Sequence, residues 1–273
     1  MPPTRRDLGR GVAAIAAALA TPAAAEKLPE VAHEMTGVPA TWHGNEQIVL
    51  LAYPGMTALD LIGPHYMFTS LMGATTRLVA RTAEPVRSDT GLVLTPDLTF
   101  ATCPAEVDII CVPGGTTGTL QAMEDAETIA FLKDLGGKAR FVTSVCTGSL
   151  ILGAAGLLDG YRATSHWVTR KLLPIFGATP VDARVVRDRN RITAAGVTAG
   201  LDFGLSLVGE LRDAGYAQGV QLLAEYAPEP PFNAGTTATA PAATRQMLEE
   251  MFAGFMVTAE DTSRRAMALA NPR

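Results

Sequence analysis

Three cysteines among 273 residues are too few to staple a fold, so a disulfide framework is excluded. Charged residues make up only 18% of the chain, and the formal net charge is -5. No Lys/Arg cluster or basic stripe occurs, which excludes an electrostatic grip on nucleic acid. His33, His43 and His65 show no ligand spacing with one another, and no Cys/His cluster points to zinc. No apolar run reaches the ~18–20 residues that a bilayer-spanning helix of the mature chain needs. What is plentiful is apolar sequence, at 48% hydrophobic, on a chain long enough to bury a full core unaided.

Residues 1–25 have the three-part layout of a secretory signal. Arg5-Arg6 precede an Ala-rich apolar stretch from Val12 to Ala20, and Ala23-Ala24-Ala25 fit an A-x-A cleavage site before Glu26. The adjacent arginines point to the twin-arginine route and so to a periplasmic or exported protein. If this stretch is only an Ala-rich start, the protein is cytoplasmic. Cleavage removes three arginines and one aspartate, leaves a more acidic chain and leaves no membrane span. Residues 26–44 read as a polar linker, 45–235 as an α/β domain and 236–273 as a C-terminal helical extension.

Within the domain, strand and helix patterns alternate. Gln47–Tyr53 is an apolar run stopped by Pro54-Gly55, a buried strand and a turn. Thr57 is placed to cap a helix over Ala58–Leu71. Arg77–Arg81 reads as a strand, and Val86 to Thr95 as a hairpin around Asp89-Thr90-Gly91. Val107–Val112 is a central strand ended by Pro113-Gly114-Gly115, and Glu127–Leu135 a helix. The strand Arg140–Ser144 runs into Val145-Cys146-Thr147-Gly148-Ser149 and a small-residue helix, Leu150–Ala155. A second hairpin pairs Val185–Val186 with Arg191–Ala194, and Leu201–Arg212 and Ala217–Tyr226 are helical. This alternation predicts a mostly parallel sheet covered on both faces. Arg245–Ala270 carries an apolar stripe, Met247, Leu248, Met251, Phe252, Phe255 and Met256, read as packing on the core or on a partner, with a hydrophobic ligand site as the alternative.

Cys146 stands at a strand-to-helix turn, which exposes a side chain at the carboxyl edge of the sheet. Amides at the start of the following helix favour a thiolate. The competing reading is a core cysteine, which fits mid-strand Cys111 better; a Cys103–Cys111 disulfide is a minor alternative. Asp60 follows the first strand and reaches the same edge. It is either a first-turn acid that favours the helix dipole, or a carboxyl beside the thiol whose raised pKa suits acid–base work. The loop Pro113–Gly118 lacks the Walker lysine and the GxGxxG pattern, so phosphate binding is weak. The Gly115 and Thr147 amides are instead candidates to stabilise developing negative charge. His166 is either a partner that activates the thiol or a structural histidine.

In order along the chain, Leu59–Pro64 (LDLIGP), Pro85–Leu92 (PVRSDTGL), Val112–Gly115 (VPGG), Thr143–Leu158 (TSVCTGSLILGAAGLL), Tyr161–Trp167 (YRATSHW), Asp188–Leu201 (DRNRITAAGVTAGL) and Glu225–Gly235 (EYAPEPPFNAG) resemble the PfpI-type, class I glutamine-amidotransferase-like superfamily, and within it the isonitrile hydratase branch. The resemblance implies a flavodoxin-like three-layer sandwich with a nucleophile elbow, a homodimer, and an isonitrile as small-molecule substrate. It places the nucleophile at Cys146 and the acid/base at Asp60, with a thioimidate intermediate, an N-substituted formamide as product, and neither metal nor organic cofactor. Thr147 stands where protease-like members carry histidine, which argues against a Cys-His-Glu peptidase. Regulators that share this core add a helix-turn-helix domain, for which the C-terminal segment has no basic pattern. The alternatives are a glyoxalase- or amidase-like enzyme and a non-catalytic thiol sensor.

Overall fold

The run QIVLLAY forms strand β1 (Gln47–Leu51), whose residues from Ile48 onward are buried on both sides of the pleat. The computed structural model describes residues 37–270; the signal-like stretch 1–25 and most of the linker lie outside them. After β1 come helix α1 (Ala58–Thr69), β2 (Thr75–Ala80), the hairpin β3 (Val86–Arg87) and β4 (Val93–Leu94), β5 (Leu98–Thr99), β6 (Ile109–Val112), α2 (Thr117–Glu124), α3 (Ala126–Lys138) and β7 (Phe141–Val145). Then follow α4 (Gly148–Ala154), β8 (Arg162–Ala163), a 3₁₀ turn (Arg170–Phe176), β9 (Thr179–Pro180), β10 (Val185–Asp188), β11 (Arg191–Ala194), α5 (Ala199–Leu211), α6 (Ala214–Leu223) and α7 (Ala242–Ala270).

Seven strands form the main sheet in the order β10-β11-β7-β6-β1-β2-β5. Every pairing is parallel except the β10–β11 hairpin. Helices α1, α5 and α6 pack together as one group, and α2, α3 and α4 as another. Because β1, β6 and β7 are buried on both faces, the two groups sandwich the sheet, as parallel sheets require. From β1 the chain crosses to β2 on one side, whereas β6 and β7 lie on the other. That reversal opens a crevice at the carboxyl ends of β1, β6 and β7.

Several expectations need correction. The Gly/Thr-rich stretch after Gly115 looked like loop but forms α2. The 3₁₀ turn, with Pro174 inside it, left no periodic signal. Residues 39–44 are not a free linker. Trp42 packs edge-on against Tyr216 at 5.1 Å and donates to Asp213 at 2.7 Å. The C-terminal helix packs with only part of the expected stripe. Phe255 and Met256 are partly buried against the core, and that side continues into Ala259, Thr262, Ser263 and Ala266, which are buried, spaced i, i+3, i+4, i+7 on one face, where α7 packs on α2, α4 and the 3₁₀ turn. Met247 and Met251 stay 59% and 62% exposed. All three cysteines are free. Among the described residues, no helix is long and apolar enough to cross a membrane.

Arg212 ties the start of the sheet to the α5–α6 corner. Its guanidinium meets both Glu46 carboxylate oxygens, at 2.6 and 2.8 Å, and donates to the Trp42 and Met72 carbonyls. The two side chains are only 1% and 9% exposed. Removing one member strands the other charge out of water, so Arg212→Met should lower the unfolding free energy by about 3–5 kcal/mol. Urea denaturation checks this; a loss below about 1 kcal/mol, the value of an exposed pair, contradicts it.

Candidate active site

Cys146 follows the last residue of β7 with φ at +56°, a left-handed conformation that costs a non-glycine residue energy and persists only when its surroundings hold it. Its N–H donates to the Ala194 carbonyl at 3.0 Å, continuing the β7–β11 ladder by one residue. Its carbonyl accepts from the hydroxyls of Ser149 and Ser165, each at 3.2 Å. A Cβ at Gly148 would stand 2.2 Å from the Val112 carbonyl oxygen, so only glycine lets α4 leave the elbow so close to β6.

Asp60 reaches the same point from the first turn of α1 and is fully buried. Its Oδ2 accepts the Gly114 N–H at 2.9 Å, while its Oδ1 has no hydrogen-bond partner. Gly114 is a glycine for close approach: a Cβ there would lie 2.5 Å from the Thr147 amide nitrogen and 2.9 Å from Asp60 Oδ2. This one position therefore admits the β6 loop, the carboxylate and the elbow together. Thr57 stands at the N-cap of α1, but its hydroxyl donates to Asp89 of the β3–β4 turn at 2.6 Å instead of capping the helix.

Burial dominates the electrostatics. It raises the Asp60 pKa to about 7, with Asp89 adding to the rise and the Gly114 amide and Cys146 opposing it. Burial, then the Asp60 charge, push the Cys146 thiol well above its ordinary value, against the pull of the Thr147 amide. The expectation that the helix start would favour a thiolate is thus reversed: α4 has only seven residues, and desolvation beside a carboxylate outweighs its amides. The resting pair is a thiol against a carboxyl group poised between its two forms.

Of the residues singled out in the sequence, the fold brings Cys146, Asp60 and Thr147 together. Gly115 is close, but its amide is spent. It donates to Thr147 Oγ1 at 2.9 Å, and the Gly115 carbonyl accepts from the same hydroxyl at 2.7 Å. The free-amide expectation therefore fails, and the amide that serves the carboxylate belongs to Gly114. His166 is not brought to the thiol. Its ring packs near Trp167 and Phe252, beside a separate cavity of about 360 Å³; its neighbour Ser165 makes the contact to Cys146. Cys111 is buried mid-strand, and its thiol is pushed up to about 12 by burial. Sequence reasoning missed a buried hydroxyl chain. Tyr53 meets Thr119 at 3.2 Å, and Thr119 meets Thr147 at 2.8 Å; the only signal was that Tyr53 and Thr119 each follow a strand that ends at this edge. Among the described residues, no cluster of three or more His, Cys, Asp or Glu is placed to hold a metal ion.

Residues 46–210 match the model of the DJ-1/PfpI family. An isonitrile hydratase of Pseudomonas putida is 48% identical over 227 residues, 83% of this chain and 99% of that protein. The crystal structure of a ThiJ/PfpI family protein from Pseudomonas syringae superposes with a TM-score of 0.81 at 57% identity, covering 88% of this chain and 98% of that one. The transcriptional regulator GbdR of Pseudomonas aeruginosa is 32% identical over 181 residues, which are 63% of this chain but only 48% of the regulator. A buried elbow cysteine at the strand reversal, set in a flavodoxin-like sandwich and matched along this length, has one conclusion: the chain belongs to the DJ-1/PfpI family.

Proposed function

We propose that the protein hydrates isonitriles to N-substituted formamides, with Cys146 as nucleophile and Asp60 as the group that moves the proton. The carrying observation is the contact between a buried thiol and a buried carboxyl group that titrates near 7. The 48% identity to an isonitrile hydratase over nearly that protein's whole length supports the substrate class.

The terminal carbon of R–N≡C accepts a nucleophile and a proton at one atom. Asp60, as carboxylate, takes the thiol proton; the sulfur bonds to the carbon while Asp60 returns the proton to that same carbon. The product of this step is the thioimidate R–N=CH–S–Cys146. Asp60 then takes a proton from water as the water oxygen bonds to the thioimidate carbon, and that proton passes to the nitrogen; the hydroxyl proton of the adduct next passes by way of Asp60 to the sulfur as the C–S bond breaks, so R–NH–CHO leaves and the thiol is restored. Gly114 holds Oδ2, so Oδ1 is the oxygen left to carry the proton. The Thr147 amide faces the sulfur and eases its negative charge.

General acid–base help of this kind is worth about 10²–10⁴-fold. Mass spectrometry should therefore detect formamide from a simple alkyl isonitrile with wild-type protein, none with Cys146→Ala, and a loss of that size with Asp60→Asn. Wild-type protein that makes no formamide, or variants that turn over normally, would sink the mechanism.

Protonation also links to stability. The folded Asp60 pKa lies above that of an unfolded aspartate, so the folded chain holds the extra proton between about 4 and about 7. Stability from this group is complete at the acid end and is lost as pH rises through that window. Urea midpoints followed from pH 4 to 8 should show this decline in wild type and a shallower one in Asp60→Asn; parallel profiles would refute it.

A homodimer fits an exposed stripe on α1. Leu59, Ile62 and Tyr66 are 38–43% exposed at i, i+3 and i+7, one helix face. The neighbouring hairpin adds Leu92 and Val93, joined to the start of α1 through the Asp89–Thr57 bond. Such a patch is self-complementary across a two-fold axis. Sedimentation should give a dimer mass for wild type and a monomer for the double variant Ile62→Asp, Tyr66→Asp; a monomeric wild type removes this part of the proposal.

A further inference from the structure

We infer that the cavity beside His166, whose wall includes Ala195 next to the residue that accepts the Cys146 N–H, is a binding site for a small organic carboxylate. The cavity holds about 360 Å³, within the range of small-molecule sites, and neither Cys146 nor Asp60 lines it. Three arginines line it from three segments: Arg170 from the 3₁₀ turn, Arg184 from just before β10 and Arg245 from the start of α7. Among the described residues, Asp182 is the one acid in its lining.

Each arginine has a carboxylate neighbour, but none is saturated. Arg170 meets Asp182 at 2.8 Å through one nitrogen. Arg184 meets Asp202 and donates to Thr198 at 3.2 Å. Arg245 has only a loose pair with Glu249 at 3.8 Å and a bond to the Thr237 carbonyl at 3.3 Å. A guanidinium offers five donors in a planar fork, so unused N–H groups remain on all three, and that fork matches a carboxylate bidentately. His166 adds no further cation: burial and the Arg170 charge both depress its pKa, leaving a neutral ring on the wall. Trp167, Val197 and Leu248 supply apolar lining, which suits the carbon body of an organic anion and gives inorganic phosphate nothing. The segment Ala234–Thr237 and Arg245 close one side, so the C-terminal extension completes the site.

The test uses the full chain, with succinate as probe and with succinamide and inorganic phosphate as controls at matched ionic strength. Thermal unfolding reads binding directly and does not depend on isonitrile turnover. Succinate should raise the wild-type midpoint saturably, and more than phosphate does; succinamide should not. Arg245→Gln and Arg184→Gln, both at side chains about half exposed, should each weaken the apparent affinity for succinate about tenfold, the equivalent of ~1.4 kcal/mol. No succinate shift, an equal shift from succinamide or phosphate, or an unchanged shift in both variants would overturn the proposal.

Discussion

The chemistry rests on one interaction: a thiol and a carboxyl group, both buried, set side by side. Burial raises the proton affinity of both, the Asp60 charge raises that of the thiol further, and the thiol in return holds the carboxyl group down. In water the two would ionise several pH units apart. Here neither can take a charge without the other's proton responding. Much local structure serves that contact. Cys146 is held left-handed by a ladder bond on one side and by two serine hydroxyls on its carbonyl. Asp60 is fixed by the Gly114 amide, and Gly114 fits only because it has no side chain.

Behind the pair lies a chain of buried hydroxyls tied down at both ends. Thr147 donates to the Gly115 carbonyl and Tyr53 to the Pro113 carbonyl, with the Thr119 hydroxyl between them, 2.8 Å from Thr147 and 3.2 Å from Tyr53. With both end protons spent, Thr119 has one proton to share between its two neighbours. Burial raises the Tyr53 pKa well above its ordinary value, so the chain stays neutral while the pair in front of it exchanges a proton. Buried networks of this kind are stiff when every member is satisfied. This one fixes Thr147, and through it the amide that faces the sulfur.

The sequence made the sheet legible because β1, β6 and β7 are short apolar runs closed by Pro-Gly, Pro-Gly-Gly or a small-residue turn. Those stops mark the carboxyl edge, and Cys146 and Asp60 follow them directly. Legibility failed where the signal was a distance and not a pattern. That Gly114 supplies the amide for Asp60 while the Gly115 amide is taken by Thr147 depends on where the Thr147 hydroxyl lands, three segments away in the chain. His166 lies one residue beyond the side chain that does touch the elbow, and a difference of one position cannot be read without the backbone direction. The C-terminal helix was legible only in part. Phe255 and Met256 of its conspicuous apolar stripe do pack on the core, but the fully buried contacts are made by its alanines, threonine and serine, which give no hydrophobic signal.

The charge of the site also bears on which reactions suit it. Asp60, Cys146 and Asp89 all raise the pKa of Tyr53, and Asp60 that of Cys146; all four groups are acids. Among the described residues, no cation acts on the thiol. A standing thiolate, which a thiol sensor or a peptidase-like hydrolase relies on, is therefore disfavoured. Amide cleavage further needs a proton delivered to a departing nitrogen, away from the carbon under attack. Isonitrile addition asks for less: one nucleophile and one proton at the same carbon, with no leaving group. A neutral thiol beside a single carboxylate supplies both in a concerted transfer, and the dry surroundings that forbid separated charges favour that route over a stepwise one.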